Sequence, residues 1–244
     1  LNQLPLAIFG IAMGIVLLPS LSKAIKNNNT QEINTTQNRA LEFCLLIAFP
    51  SAAGLYILSS PIIHILFERG AFLSEDTFYT AKVLSLFALG LPAYIVIKIL
   101  VTCFFAREDT KTPLYISIIS VIINIVLSLI LIGSMREMGI ALATAISAWV
   151  NALLLFIVLR MNKNFILDSQ LITNTFKIFI SVILMALGCY FLNLIIFANI
   201  QDLSLLFKAG NLFLIIVCSN ILYFGMIFML KVLTIQDLKG YIQK

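Results

Sequence analysis

Apolar residues come in seven long runs, and polar residues fill the gaps between them. The runs are Leu4–Leu21, Leu41–Leu66, Phe78–Phe105, Pro113–Ile132, Gly139–Leu159, Ile178–Phe197 and Leu212–Leu233. At a rise of about 1.5 Å per residue, about 20 residues cross a hydrocarbon core about 30 Å thick. Each run therefore predicts a membrane-spanning helix. The pattern predicts an all-α, polytopic integral membrane protein with seven transmembrane helices. An odd number of spans puts the two ends on opposite sides.

Composition agrees. The chain is 61% hydrophobic and 11% charged, where a soluble domain carries about a quarter charged residues. The net charge of +5 is thus read as topology, and no nucleic-acid partner is expected. Lys23, Lys26, Arg39, Arg107, Lys111, Arg160, Lys163, Lys177, Lys231, Lys239 and Lys244 fall in one set of connections. Arg69, Lys82, Arg136 and Lys208 fall in the other. The positive-inside rule places the larger set and the C-terminus in the cytoplasm, and Leu1 outside. Cys44, Cys103, Cys189 and Cys218 are far apart within apolar runs and read as small buried hydrophobes. His64 is the only histidine, which argues against a His-based metal site. The chain starts Leu1-Asn2-Gln3, without Met or a basic segment ahead of the first run. It is therefore expected to be the C-terminal part of a longer protein rather than to open on a signal peptide.

Polar, Gly and Pro residues inside the runs mark the candidate sites. Run one holds Pro5, Gly10, Gly14 and Pro19, and the Gly10/Gly14 spacing suits close helix packing. A polar loop from Lys26 to Glu32 follows. Pro50 lies inside run two and Pro61 near its end, so a kink is expected. Glu42 is expected one turn into that helix, reaching water or the helix N-terminus. Gly70 permits a turn, and Ser74 with Glu75 and Asp76 reads as an N-cap followed by first-turn acids. Pro92 and Lys98 lie in run three. Lys98 snorkels to the surface or finds an intramembrane partner; the other reading is a cavity charge that meets a phosphate. In the loop Ala106–Pro113, Thr112 reads as an N-cap, Pro113 as the first helical residue, and Asp109 as a nearby acid.

The hairpin of runs four and five carries Asn124 and Ser128 on one face, with Thr144 at a matching depth and Ser147 and Asn151 beyond it. Such oxygens suit a hard cation such as Na⁺ or hydrogen bonds between helices. The lack of a carboxylate in either run favours hydrogen bonds, and no other cofactor is expected. The last two runs are more uniformly apolar, interrupted mainly by Asn193 and Asn220. They read as a pair appended to a five-helix body, packing on it or forming a lipid-facing groove. The expected organisation is a transporter lobe over residues 1–160, a cytoplasmic linker over 161–177, and two additional helices with a cytoplasmic tail over 178–244.

Several stretches carry a family resemblance when taken in order. They are Leu4-Pro5 with Phe9-Gly10-Ile11-Ala12, Leu17-Leu18-Pro19-Ser20-Leu21-Ser22, Phe67-Glu68-Arg69-Gly70-Ala71-Phe72, Ala88-Leu89-Gly90-Leu91-Pro92, Ala106 through Pro113, and Gly139 through Thr144 with Ala148-Trp149-Val150-Asn151-Ala152. Over about the first 160 residues this set resembles the lipid II flippase family of bacterial peptidoglycan synthesis, MurJ or MviN, within the multidrug/oligosaccharidyl-lipid/polysaccharide exporter superfamily. The resemblance implies helices eight to fourteen of a fourteen-helix protein: a C-terminal lobe plus two extra helices. It implies a multi-pass protein of the bacterial cytoplasmic membrane that moves lipid II, or a related polyprenyl-diphosphate-linked saccharide, to the outer leaflet by alternating access. The implied partners are that lipid, membrane lipids and an N-terminal lobe of the same protein. The cationic residues that bind the diphosphate are implied to lie upstream of Leu1, which leaves Lys98 as a candidate here. The implied Na⁺ positions are Asn124, Ser128, the Ile140 carbonyl and Thr144, with Ser128 standing where Na⁺-binding members carry a carboxylate. Residues Ile178–Leu233 are implied to form a groove for the lipid tail. Three other readings compete: a different exporter of the superfamily, an enzyme acting on polyprenyl phosphates, and a non-transporting scaffold. The enzyme reading would rest on Glu75/Asp76 and Glu108/Asp109, which the predicted topology puts on opposite sides.

Overall fold

The computed structural model of the protein describes residues 12–197 and 204–233. Its helices are α1 (Ala12–Lys26), α2 (Thr30–Ile57), α3 (Ser59–Phe67), α4 (Ser74–Phe105), α5 (Lys111–Met135), α6 (Glu137–Met161), α7 (Ser169–Phe197) and α8 (Leu205–Met229). Among the described residues, six helices, α2 and α4 to α8, are long and apolar enough to cross a membrane. The expected count of seven is not reproduced there. Of the first predicted span, residues 12–21 are described and lie in α1; Pro5 and Gly10 lie outside the described residues. Gly14 and Pro19 fall within α1.

The second predicted span differs at both ends. Its helix begins eleven residues before Leu41, at Thr30, because Asn29 caps it. The Asn29 side-chain oxygen accepts from the Glu32 N–H at 3.1 Å, and its amide donates to the Glu32 carboxylate at 3.0 Å. This reciprocal pair turns most of the expected polar loop into helix. The other end breaks at Leu58, between α2 and α3. Pro61 explains the position: it has no N–H for the Ile57 carbonyl, and its ring crowds that oxygen. Pro50 lies inside the continuous α2.

Helix α4 packs on α2 and on α6. The α4–α6 contact is made of small residues, with Ala93 buried against Ala148 and Ala152. A Cβ at Gly90 would come within 3.1 Å of the Ala145 backbone, so glycine sets this approach. Pro92 has no N–H for the Ala88 carbonyl; one residue on, the indole N–H of Trp149 on α6 donates to the Leu89 carbonyl at 3.0 Å. Helices α5 and α6 are separated by Arg136 alone, at φ 49° and ψ −130°, so most of the polar gap between runs four and five is helical. Helix α5 packs mainly on α6 and leaves a broad apolar face exposed.

Helices α7 and α8 pack on one another, and α7 also lies along α2. α7 starts nine residues before the predicted Ile178. Buried Ile178, Val182 and Met185 of α7 meet Tyr223 and Ile227 of α8 and Leu46 of α2. The Tyr223 hydroxyl, fully buried, donates to the Leu46 carbonyl at 2.6 Å. Tyr223→Phe should cost about 1 kcal/mol of stability through that bond, read as a lower unfolding midpoint in detergent; an unchanged midpoint would contradict the role given to it. Cys44, Cys103 and Cys189 are buried as expected, whereas Cys218 is exposed on α8.

Candidate functional site

The basic ends of the helices meet in a polar strap that sequence spacing did not disclose. The segment between α6 and α7 runs across α2. The Asn38 amide donates to the Ile166 carbonyl at 2.8 Å, and the Asn38 oxygen accepts from the Asp168 N–H. Arg39 bridges two carboxylates, Glu42 on its own helix and Asp168 on the strap. Glu42 also accepts from the Asn174 amide on α7. Arg107, at the end of α4, donates to the Cys103 and Asn164 carbonyls at 2.7 and 2.8 Å. The expectation for Glu42 is corrected here: it is 8% exposed, three turns inside α2. Asn29 with Glu32 three residues later was the sequence signal for the true helix start. Nothing local pointed to Asn174.

In the loop between α4 and α5, Asp109 takes the capping role expected of Thr112. The helix starts at Lys111, and the Asp109 carboxylate accepts from the Thr112 N–H at 3.0 Å. That bond holds the Asp109 carboxyl below its ordinary value. Pro113 is third in the helix rather than first, still within the turn whose N–H groups lack intrahelical acceptors.

The structure brings Asn124 and Thr144 together across the α5–α6 hairpin. The Asn124 amide donates to the Thr144 hydroxyl at 3.1 Å and to the Ser147 hydroxyl at 3.0 Å. Those hydroxyls donate in turn to the Ile140 and Thr144 carbonyls. Their protons are committed, so they accept from Asn124, which can only donate to them. Ser120 ties the next turn to the Ser147 carbonyl at 2.7 Å. The Ser128 hydroxyl is buried without a partner. A cation needs several oxygens with free lone pairs and compensating charge. This set turns an amide N–H₂ inward, uses the Ile140 carbonyl for Thr144, and holds no carboxylate. As arranged it does not fit a resident Na⁺; it is an interhelical hydrogen-bond network. Among the described residues, no group of three His, Cys, Asp or Glu side chains could hold a metal ion.

At the opposite end, Glu68 gathers three side chains from α3 and α4. It accepts from the Thr77 hydroxyl at 2.6 Å, from the Ser74 hydroxyl at 3.2 Å, and lies 2.8 Å from His64 Nδ1. His64 Nε2 faces the Lys208 ammonium of α8 at 3.3 Å. Ser74 is not the N-cap. Leu73 holds that position, and its N–H donates to the Asp76 carboxylate at 2.9 Å. The turn before it passes through Gly70 at φ +63°, where glycine is at ease. The Thr77 bond, then the His64 bond, hold the Glu68 carboxyl below its ordinary value. A lowered carboxyl contributes stability above its unfolded value, about 4.3, and loses that contribution as pH falls through the lower folded value. The stability gap between wild type and Glu68→Gln should therefore be full at neutral pH and close below about pH 4. A gap that stays constant down to pH 3, followed by thermal unfolding, would contradict this.

Lys98 is exposed on α4, and the Thr102 hydroxyl donates to its carbonyl. On α8, Ile216, Val217, Asn220, Phe224 and Phe228 line an open apolar groove.

Comparison with known proteins places these features in a wider setting. A family model described as "Lipid II flippase MurJ" matches residues 1–210. A "Probable lipid II flippase MurJ" of Rhizobium meliloti (strain 1021) is 43% identical over 188 residues, covering 77% of this chain and 35% of that protein. The protein so described from Rickettsia prowazekii (strain Madrid E) is 37% identical over 235 residues, covering 96% of this chain and 46% of that protein. A solved structure, "Lipid II flippase MurJ, inward closed conformation", superposes with a TM-score of 0.70 at 29% identity, covering 93% of this chain and 45% of that chain. The chain thus spans less than half the length of these relatives.

Proposed function

Because this chain belongs to the lipid II flippase MurJ family, we propose that it serves as the C-terminal lobe and final helix pair of a flippase. The whole protein moves lipid II from the cytoplasmic to the outer leaflet of a bacterial inner membrane. The observation that carries this reading is the family match over residues 1–210. The six long apolar helices and the superposition on a solved flippase support it.

Translocation makes and breaks no covalent bond in this account. The cargo moves because two conformations bind it differently on the two sides. The lobe covers residues 1–160 and works against a preceding lobe of the same protein; residues 178–244 supply the last two helices, and the α8 groove takes the lipid tail. Of the four acids on which an enzyme reading would rest, two have structural roles: Asp76 caps α4 and Asp109 caps α5, at opposite ends of the bundle. Asn124, Thr144 and Ser147 pair helices. Lys98, an exposed charge on a membrane-spanning helix, faces the cavity and meets the anionic head group.

The strap end lies in the cytoplasm, and the His64–Glu68 end outside. Glu75→Cys should then label with an impermeant thiol reagent in intact cells, and Asp109→Cys only after the membrane is opened. Labelling of both from outside would overturn the orientation. For the function, depletion of the natural full-length protein should stop growth with lipid-linked precursor trapped in the inner leaflet. Precursor that still reaches the outer leaflet at its normal rate would contradict the proposal.

A further inference from the structure

Helices α4 and α5 both pack on α6 but scarcely on each other. At the end of the bundle away from the strap, a cavity of about 370 Å³ lies between the start of α4 and the α5–α6 turn. Asp76, Tyr79, Thr80 and Val83 line it from α4, and Arg136 and Glu137 line it from the turn. Its size falls within the range of small-molecule sites, about 300–1,000 Å³.

Opposite charges share this cavity without neutralising each other. Among the described residues, no hydrogen bond or ion pair engages the Arg136 guanidinium or the Glu137 carboxylate. The Asp76 carboxylate uses one oxygen on the Leu73 N–H and has the other to offer. Tyr79 and Thr80 add hydroxyls. A guanidinium fits a phosphate through two parallel hydrogen bonds, and a carboxylate accepts from an ammonium. The pattern is complementary to a ligand that carries both charges a few bonds apart.

Depth says where such a ligand comes from. Helix α5 has 25 residues, about 37 Å of helix against a hydrocarbon core of about 30 Å. Arg136, just past its last residue, therefore sits at headgroup level. Tyr79 has the ring and hydroxyl favoured at that level. One and two turns back along α5, Ile132 and Leu129 are exposed apolar side chains, a bed for acyl chains.

We propose that this cavity holds the headgroup of a zwitterionic phospholipid with a primary ammonium. The phosphate lies on Arg136, the ammonium on Glu137 and Asp76, and the chains run along α5 past Ile132 and Leu129. The assignment rests on α5 crossing the membrane and is independent of the cargo.

The test is native mass spectrometry of the full-length protein, released from micelles with equal amounts of phosphatidylethanolamine, phosphatidylglycerol and phosphatidylcholine of identical chains. Phosphatidylethanolamine should be held longest as collision energy rises, because phosphatidylglycerol lacks the cation and choline has no N–H to donate. Arg136→Gly removes the guanidinium at a φ of 49°, which glycine adopts freely. Glu137→Gln removes the charge expected to meet the ammonium. Each loses one charge-assisted hydrogen bond, so retention of phosphatidylethanolamine should fall about tenfold in each. Lys82→Gln removes a charge from the same end of α4 whose ammonium lies over the Phe78 ring, and its retention should match the parent. Equal retention of the three lipids by the parent overturns the proposal, as does unchanged retention in either cavity variant or an equal fall in Lys82→Gln. Phosphatidylglycerol held as well as phosphatidylethanolamine, with loss in Arg136→Gly alone, marks a plain phosphate site and equally overturns it. Should one cavity variant fail to fold, the other and the comparison of lipids decide.

Discussion

Gly139→Ala will weaken the α5–α6 hairpin more than any other single methyl added to the described glycines. A Cβ there would lie 2.7 Å from the Leu131 carbonyl oxygen and 2.8 Å from the carbonyl carbon. Both are backbone atoms of the preceding helix, so no side-chain rotation can relieve the clash. The turn is already taut: Arg136 alone separates the helices, at a φ that side chains other than glycine rarely adopt. The hairpin must open, and opening it pulls Asn124 away from Thr144 and Ser147. Overpacking of this kind costs about 1–3 kcal/mol, and a backbone clash belongs at the upper end. The check is the unfolding midpoint in detergent beside Gly133→Ala, whose added Cβ meets nothing within 4 Å. Equal midpoints for the two variants would contradict the account.

Asn174→Leu will be the most damaging change in the strap. Glu42 is buried, and Asn174 is its partner from α7. Leucine removes the donor and leaves a carboxylate oxygen buried beside an apolar side chain. An unsatisfied buried group costs about 1–3 kcal/mol, more when it is charged. The loss should appear as weaker attachment of α7 to α2, read by faster hydrogen exchange in the first turns of α7. The double variant Glu42→Leu with Asn174→Leu should recover most of the loss, since no charge is left unpaired at the contact. Arg39 keeps Asp168 in that variant. If the double variant is as unstable as the two single losses added together, Glu42 and Asn174 are not coupled as described.

These two expectations mark where sequence reasoning succeeds and where it stops. Hydrophobic runs located α4, α5 and α6 within a few residues, because lipid-spanning helices must be uniformly apolar. The pairing of Asn124 with Thr144 was also legible. Both lie near the middle of neighbouring antiparallel helices joined by a short turn, so depth alone brings them together. Glu42 was misplaced because the run of apolar residues starts later than the helix does. The Asn29–Glu32 cap extends α2 into a polar stretch that hydropathy reads as loop. Thr112 and Ser74 read as caps, whereas the carboxylates of Asp109 and Asp76 cap α5 and α4, a shift of two to three residues. The Glu42–Asn174 and His64–Lys208 contacts join residues more than a hundred positions apart, and no periodicity carries that information. They depend on how α7 and α8 pack against α2 and α3, a tertiary outcome.

The most direct measurement is translocation itself. The natural full-length protein that contains this chain would be reconstituted in vesicles with fluorescent lipid II in the inner leaflet. Appearance of the label at the outer surface would be followed with an impermeant quencher. The account predicts protein-dependent movement of lipid II, slowed in Lys98→Gln and in Asn174→Leu. No movement above protein-free vesicles, under conditions where an established lipid II flippase works, would contradict it.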